Sequence, residues 1–273
     1  MIWGAWVPRV RESGPGVELS SWHGALLNGA CKPYLKAGPG LFAYFFARGK
    51  LRADPVYRSL LEHGLLSGRS RILDLGCGQG LLAAWLRAAM RLHDRGAWPD
   101  ALPPPPRPVS IRGIELMARE VERARRALGS EFDIQAADIR EADFGVADAV
   151  VVLDVLHYLD ASEQSDVLYR IRAALPADGL LLLRVGDAGA GLRHRYTRWV
   201  DRMVMFLRGH GGVHAHCRSI AEWQAALREC GFVCSALPMS HGTPFANVLL
   251  IAHAAPPPPL GAVTAGRSPG PSR

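Results

Sequence analysis

The string RILDLGCGQG at positions 71–80 constrains this chain more than any other stretch. Apolar residues around an acid (Ile72, Leu73, Asp74, Leu75) lead into Gly76, Gly78 and Gly80, and the helix-forming run LLAAWLRAAM follows at once. The order is strand, tight turn, helix. Glycines spaced by single residues let the backbone turn sharply and let a ligand approach amides that a Cβ would shield. A nucleotide-like ligand suits such a turn.

The spacing separates two kinds of occupant. A dinucleotide fingerprint, G-x-G-x-x-G, needs its third glycine one place later, for helix packing above a pyrophosphate. Here the pattern is D-x-G-x-G-x-G, and Asp74 stands two residues ahead of the first glycine. A pyrophosphate would be repelled there and an ammonium group welcomed. The string resembles motif I of class I S-adenosylmethionine-dependent methyltransferases. In that family the loop passes under the methionine part of a cofactor that carries cationic groups and no phosphate. The resemblance implies S-adenosyl-L-methionine as cofactor, contacted by Asp74, Gly76, Cys77, Gly78 and Gly80.

The 273 residues suffice for one sizeable core. Apolar content of 49% and charged content of 21% are those of a globular protein. No apolar run approaches the ~18 to 20 residues of a membrane span, and the start lacks a basic region followed by a long apolar one. A soluble cytoplasmic protein is expected. The five cysteines (Cys31, Cys77, Cys217, Cys230, Cys234) form no C-x-x-C pair, which argues for free thiols in a reducing compartment. The clustered cysteines of radical-type chemistry are also absent, leaving polar methyl transfer. The net charge of +7 is almost wholly arginine, since Lys32, Lys36 and Lys50 are the only lysines. The arginines are scattered along alanine-rich helices, which favours biased codon usage over a polyanion partner.

The organisation read from the chain is an N-terminal helical cap over 1–68, a cofactor-binding domain over 69–254 and a disordered, low-complexity tail over 255–273. The cap is aromatic and broken by Pro33 and the GPG at 38–40, and DPVYRSLLEHGLL makes a helix with Asp54 as cap and Pro55 in its first turn. It either packs on the sheet or covers the site as a lid. The proline-rich stretch 93–108 reads as an inserted surface loop. VSIRGIEL then forms a second strand ending in Glu115, an acid able to accept from both ribose hydroxyls. That acid comes later than the usual ~20 residues after the loop, by about the length of the insert. FDIQAADI ends a third strand at Asp138, and ADAVVVLD is continuously apolar, as a strand buried on both faces requires. Asp160 with Glu163 and Ser219 with Glu222 read as capping boxes. Between LLLLRV and the next helix lies an insertion, 187–218, placed to form a substrate wall. FVCSALPM and FANVLLIAHA close the chain as an antiparallel hairpin. The expected fold is α/β: a Rossmann-like doubly wound sheet of seven strands with an antiparallel last strand, plus the N-terminal helical segment.

The family resemblance carries further implications. Glu115 and Leu116 would contact the cofactor after the second strand. Asp138 would meet the adenine amino group with the backbone of Ile139 beside it, although a turn-capping role suits Asp138 too. Leu153 and Asp154, at the end of the fourth strand, would lie near the sulfonium. His157 follows directly and is suited to general base or to structural duty. His214, in the HGGVHAHC loop, is a second histidine that could serve as base. His214, His216 and Cys217 lack the spacing of a metal set, and no metal is assigned. The N-P-P-Y and Pro-Cys signatures of nucleic-acid methylation are missing, so the expected partner is a small-molecule substrate, with no nucleic acid and no membrane span. The FFARGKL–DP string and RHRYTRW look like methyltransferases encoded beside bacterial polyene or fatty-acid-like synthesis enzymes, which implies an aromatic or acyl-type acceptor methylated at oxygen or carbon. A noncatalytic cofactor-binding scaffold, or an NAD-dependent oxidoreductase, stands as the alternative. Oligomeric state is left open.

Overall fold

A computed structural model of the chain describes residues 19–38, 41–186, 218–239 and 247–255. Seven strands form one sheet in the order β3-β2-β1-β4-β5-β7-β6. They are β1 Arg71–Leu75, β2 Ser110–Glu115, β3 Asp133–Ala136, β4 Ala149–Leu153, β5 Leu180–Gly186, β6 Phe232–Pro238 and β7 Asn247–Ala254. The first five run parallel; β7 is antiparallel to both β5 and β6, between which it lies. The order steps outward from β1 to β2 and β3, then returns to β4 on its other side. The β1 and β4 tips therefore flank a topological switch point, where open α/β sheets bind ligands.

The helices are α1 Leu19–Cys31, α2 Phe42–Ala53, α3 Pro55–Glu62, α4 Leu81–Asp94, α5 Ala118–Leu128, α6 Ala161–Ala174 and α7 Ile220–Glu229, with a 3-10 turn at Lys32–Lys36. Alternation along each strand splits the core into two layers. Ile72, Val151, Leu182 and Ile251 face α1 to α5, whereas Leu73, Val150, Leu181 and Leu250 face α6 and α7. The helices before β1 belong to the first layer: Trp22, Leu26, Tyr34, Leu51 and Leu60 are buried with Trp85 of α4. Trp85 also donates its indole N–H to the Tyr57 carbonyl at 2.8 Å.

Several starts are fixed locally. Asp54 accepts from the Val56 N–H and Pro55 opens α3. Asp160 with Glu163 and Ser219 with Glu222 form reciprocal capping boxes on α6 and α7. The proline-rich loop after α4 packs down: Trp98 meets Trp22 edge-on with centroids 5.5 Å apart, and Pro105 and Pro106 are buried. Among the described residues, no helix is long and apolar enough to cross a membrane.

Candidate active site

The turn after β1 is built from left-handed residues. Gly76 and Gly78 have φ of 71° and 55°, a region that side chains other than glycine adopt at a cost. Their surroundings differ. A Cβ on Gly76 would collide with Val155, whereas one on Gly78 would point into open space. The turn closes against the β4 side and leaves a hollow over Gly78.

Its amides are already engaged. The Gly76 and Cys77 N–H groups both donate to the Ile114 carbonyl, at 2.8 and 3.1 Å, and Gly80 donates to the Cys77 carbonyl at 2.9 Å. The Gly78 N–H donates to Glu115 Oε2 at 2.9 Å, while Glu115 Oε1 accepts from the Met117 N–H at 2.9 Å. With those four amides satisfied and two acids alongside, the turn is a poor phosphate cradle.

Asp74 is the second acid. It is buried, 6% exposed, and no hydrogen-bond donor among the described residues reaches it. Burial, and then the nearby Glu115 charge, push its pKa up to about 7. A buried carboxyl without a cation is costly, and a positive ligand in the hollow would relieve it. Cys77 is packed under β2, where a Cβ on Gly113 would lie 2.6 Å from its sulfur, and burial holds its thiol well above the ordinary range. It lines the turn as an inert apolar group.

Glu115 is followed by Leu116, 61% exposed, an apolar surface beside the acid. Asp138 is placed differently. Arg140 donates to both its oxygens from Nε and to Oδ2 from Nη2 at 2.6 Å, and Arg140 also reaches Glu163 at 2.9 Å. The side-chain hydrogen bond from Arg140 holds Asp138 below the usual carboxylate range despite partial burial. The Arg140 backbone N–H also donates to Oδ1, at 2.9 Å, so both oxygens are already engaged within the chain. Ile139 is buried in the layer under α6.

The tip of β4 is held by charge. Asp154, with φ of 59°, is the one non-glycine residue with positive φ among those described. Arg184 of β5, 1% exposed, donates from Nε to Asp154 Oδ1 at 2.7 Å, and its two terminal nitrogens pair with Asp154 and with Asp54. Lys50 of α2 joins them, 2.9 Å from Asp54 and 3.4 Å from Asp154. Burial alone would raise both acids, but Arg184 and Lys50 more than reverse this and hold both below the usual carboxylate range. Lys50 and Asp54 belong to the GKLRADP string that begins at Gly49, so the helices before β1 are tied to the β4 tip. Leu153, half-buried beside this cluster, packs on the first core layer. The Asp154 carboxylate is thus already partnered within the chain.

His157 lies in the short turn that follows. Its Nε2 is buried and finds no hydrogen-bond partner among the described residues, and its ring meets Tyr158 at 4.0 Å. Burial lowers its pKa, Asp154 opposes this and Arg184 adds to it, so the imidazole is neutral near pH 7. His214, with His216 and Cys217, lies outside the described residues, as does 187–217 of the substrate wall.

Two further contributors escape local reading. Tyr34, fully buried, donates its hydroxyl to the Gln79 carbonyl at 2.8 Å, and Gln79 Nε2 donates to the Ala43 carbonyl of α2 at 3.1 Å. The glycine turn is therefore held from the N-terminal side too. The other is Arg184, whose one sequence signal is a charge inside the apolar run LLLLRV.

Known proteins share this architecture. A family model described as a methyltransferase domain matches residues 44–237. Two curated relatives are carboxy-S-adenosyl-L-methionine synthases. That of Chromohalobacter salexigens is 32% identical over 143 residues, 48% of each chain. That of Psychrobacter arcticus is 29% identical over 148 residues, 52% of this chain and 50% of the relative. The chain spans about half the length of the curated relatives it matches. Among solved structures, an O-methyltransferase family protein from Burkholderia thailandensis superposes with TM-score 0.56 at 18% identity, covering 78% of this chain and 59% of that one. Human N-acetylserotonin methyltransferase, in complex with S-adenosylmethionine, superposes with TM-score 0.53 at 16% identity, covering 88% and 61%. These likenesses establish the shared fold. With a methyltransferase model matched over most of its length and the sheet order of the class I fold, the chain belongs to the methyltransferase-domain family of S-adenosylmethionine-dependent enzymes.

Proposed function

We propose that the chain transfers the methyl group of S-adenosylmethionine to an oxygen or carbon of an aromatic or acyl-type small molecule. One observation carries the reading: Glu115 bonds to the N–H of Gly78, whose side-chain direction is open, and Asp74, a buried acid without a cation, lies close enough to Glu115 to feel its charge. Two carboxyls, with the amides of Gly76, Cys77, Gly78 and Gly80 already engaged, suit a cation bearing a ribose. The cofactor, when bound, supplies an electrophilic methyl group on a sulfonium.

The residues then divide the work. Asp74 offers its charge to the ammonium group, and Glu115 accepts from the ribose hydroxyls. Leu116 gives the base an apolar surface, and Asp138 with the Ile139 backbone meets its polar edge. Arg184 and Lys50 fix the backbone at Leu153 and Asp154, so the methyl donor and the acceptor can be held at near-attack distance. His157, neutral and beside Asp154, is the candidate to take the proton of an acceptor hydroxyl once its buried Nε2 is opened to the substrate. The free thiols of Cys31, Cys77, Cys230 and Cys234 suit the reducing cytoplasm.

The curated relatives are named for making a carboxylated cofactor, so both sides of the reaction need measuring. Incubation with isotope-labelled S-adenosylmethionine and cell extract, followed by mass spectrometry, should yield a labelled methyl acceptor and S-adenosylhomocysteine. A carboxylated cofactor without any methylated product would overturn the proposal.

A further inference from the structure

Charge is unevenly spread along this chain. Residues 19–53 contain all three lysines, with Arg48 and Arg52, and no aspartate or glutamate, although the whole chain has 25 acids. Elsewhere, exposed arginines tend to be matched, as in Arg71 with Asp148, Arg126 with Glu122 and Arg140 with Glu163. Here they are not. Lys32, Lys36 and Arg52 are exposed and form no ion pair among the described residues.

The same stretch turns bulky apolar groups outward. Leu35 is 45% exposed, Leu41 48%, Phe42 58% and Phe45 61%. They belong to one neighbourhood, because the 3-10 turn bearing Leu35 packs against both α2 and α5. Arg123 of α5 lies over the Phe42 ring, 4.7 Å from its centroid. A cluster of exposed apolar side chains marks an interaction surface, where single ones would mean nothing.

Phenylalanine and leucine beside unpaired lysine and arginine match a lipid interface. The rings can enter the acyl boundary while long cationic side chains reach the headgroup phosphates. A second copy of the chain fits less well, since a two-fold contact would set these unpaired cations against their own copies. We propose that the outer face of α2, with the 3-10 turn before it, docks on an anionic phospholipid bilayer. The inner face of α2 holds the glycine turn through the Ala43 carbonyl and the β4 tip through Lys50. Docking would therefore set the methyl-donor seat one helix away from the membrane surface.

Vesicle flotation of the full chain tests this. The protein should float with phosphatidylcholine vesicles containing phosphatidylglycerol, stay behind with phosphatidylcholine alone, and be released as salt rises. Lys32→Gln, Lys36→Gln and Arg52→Gln together should weaken partitioning about 100-fold, at about fivefold per cation. Phe42→Ser with Phe45→Ser should weaken it about tenfold. Both variants should keep the parent melting temperature and S-adenosylmethionine affinity. Equal flotation on neutral and anionic vesicles, no flotation at all, or variants that float like the parent would overturn the proposal. So would a concentration-dependent dimer, seen by sedimentation, that the phenylalanine substitutions dissociate. Salt release of the unmodified protein keeps the test decisive should a variant misfold.

Discussion

Arg184 grips both carboxylate oxygens of Asp154, whose backbone is left-handed, and extends its remaining nitrogen to Asp54 at the start of α3. One buried guanidinium thus ties the β4 tip to the helices before β1. Replacing it with Met would leave two acids with Lys50 alone, and removing one partner of a buried pair costs about 3–5 kcal/mol. Arg184→Met should lower the urea midpoint by the equivalent amount. Arg184→Lys should recover a minor part, because an ammonium group cannot fork to two carboxylates.

Asp74 and the Arg184 cluster predict opposite pH dependences. The folded pKa of Asp74 is raised to about 7 from an ordinary 3.8. Between those values the unfolded chain has lost the proton that the folded chain keeps, so this group makes stability fall as pH rises across the window, by on the order of a few kcal/mol. Asp54 and Asp154 are depressed, so their contribution is full above the ordinary carboxylate range and is lost as pH falls below it. Asp74→Asn should flatten the slope between about pH 4 and 7 in unfolding experiments without cofactor. Binding of a cation near pH 7 should release a proton from Asp74, seen as a dependence of calorimetric enthalpy on the ionisation enthalpy of the buffer. Asp74→Asn should abolish that dependence.

The two glycines of the turn should fail in different ways. Gly76→Ala combines a left-handed Cβ, about 1–2 kcal/mol, with the Val155 collision. Val155→Ala should restore the collision part and leave the backbone part. Gly78→Ala carries only the backbone penalty in the free protein, since its Cβ meets nothing. There the methyl group enters the seat, and S-adenosylmethionine affinity should drop about tenfold or more. Unfolding curves and titration calorimetry on the same preparations separate the two.

Tyr34→Phe deletes one hydrogen bond to the Gln79 carbonyl and little volume. A buried acceptor left unsatisfied costs about 1–3 kcal/mol. Stability should fall by that order, and cofactor affinity should weaken as the glycine turn loses its support. Unchanged affinity would mean that β2 alone positions the turn.

The fold was legible because its determinants are local. The β1 turn, the apolar run of β4 and both capping boxes are written in contiguous residues, and each occupies its expected place. What escaped depends on distance. Arg184 meets Asp54 across 130 residues, and Tyr34 meets Gln79 across 45; no periodicity encodes such partners. An arginine within LLLLRV does signal that some acid must neutralise it, without saying which. Asp138 shows the converse. The sequence pattern puts it at the end of the third strand as an open acceptor, yet β3 stops at Ala136 and Arg140, two residues on, competes for it. Similarly, the proline-rich stretch lacks a period but still packs Trp98 on Trp22. The turn with its two acids was readable because pattern and chemistry coincide there.

That turn is most directly tested by titration calorimetry of the unmodified chain with S-adenosylmethionine and, separately, with NAD. A seat bordered by Asp74 and Glu115 should bind the sulfonium cofactor one to one and give no heat with the dinucleotide. Binding of NAD with no response to S-adenosylmethionine would contradict it.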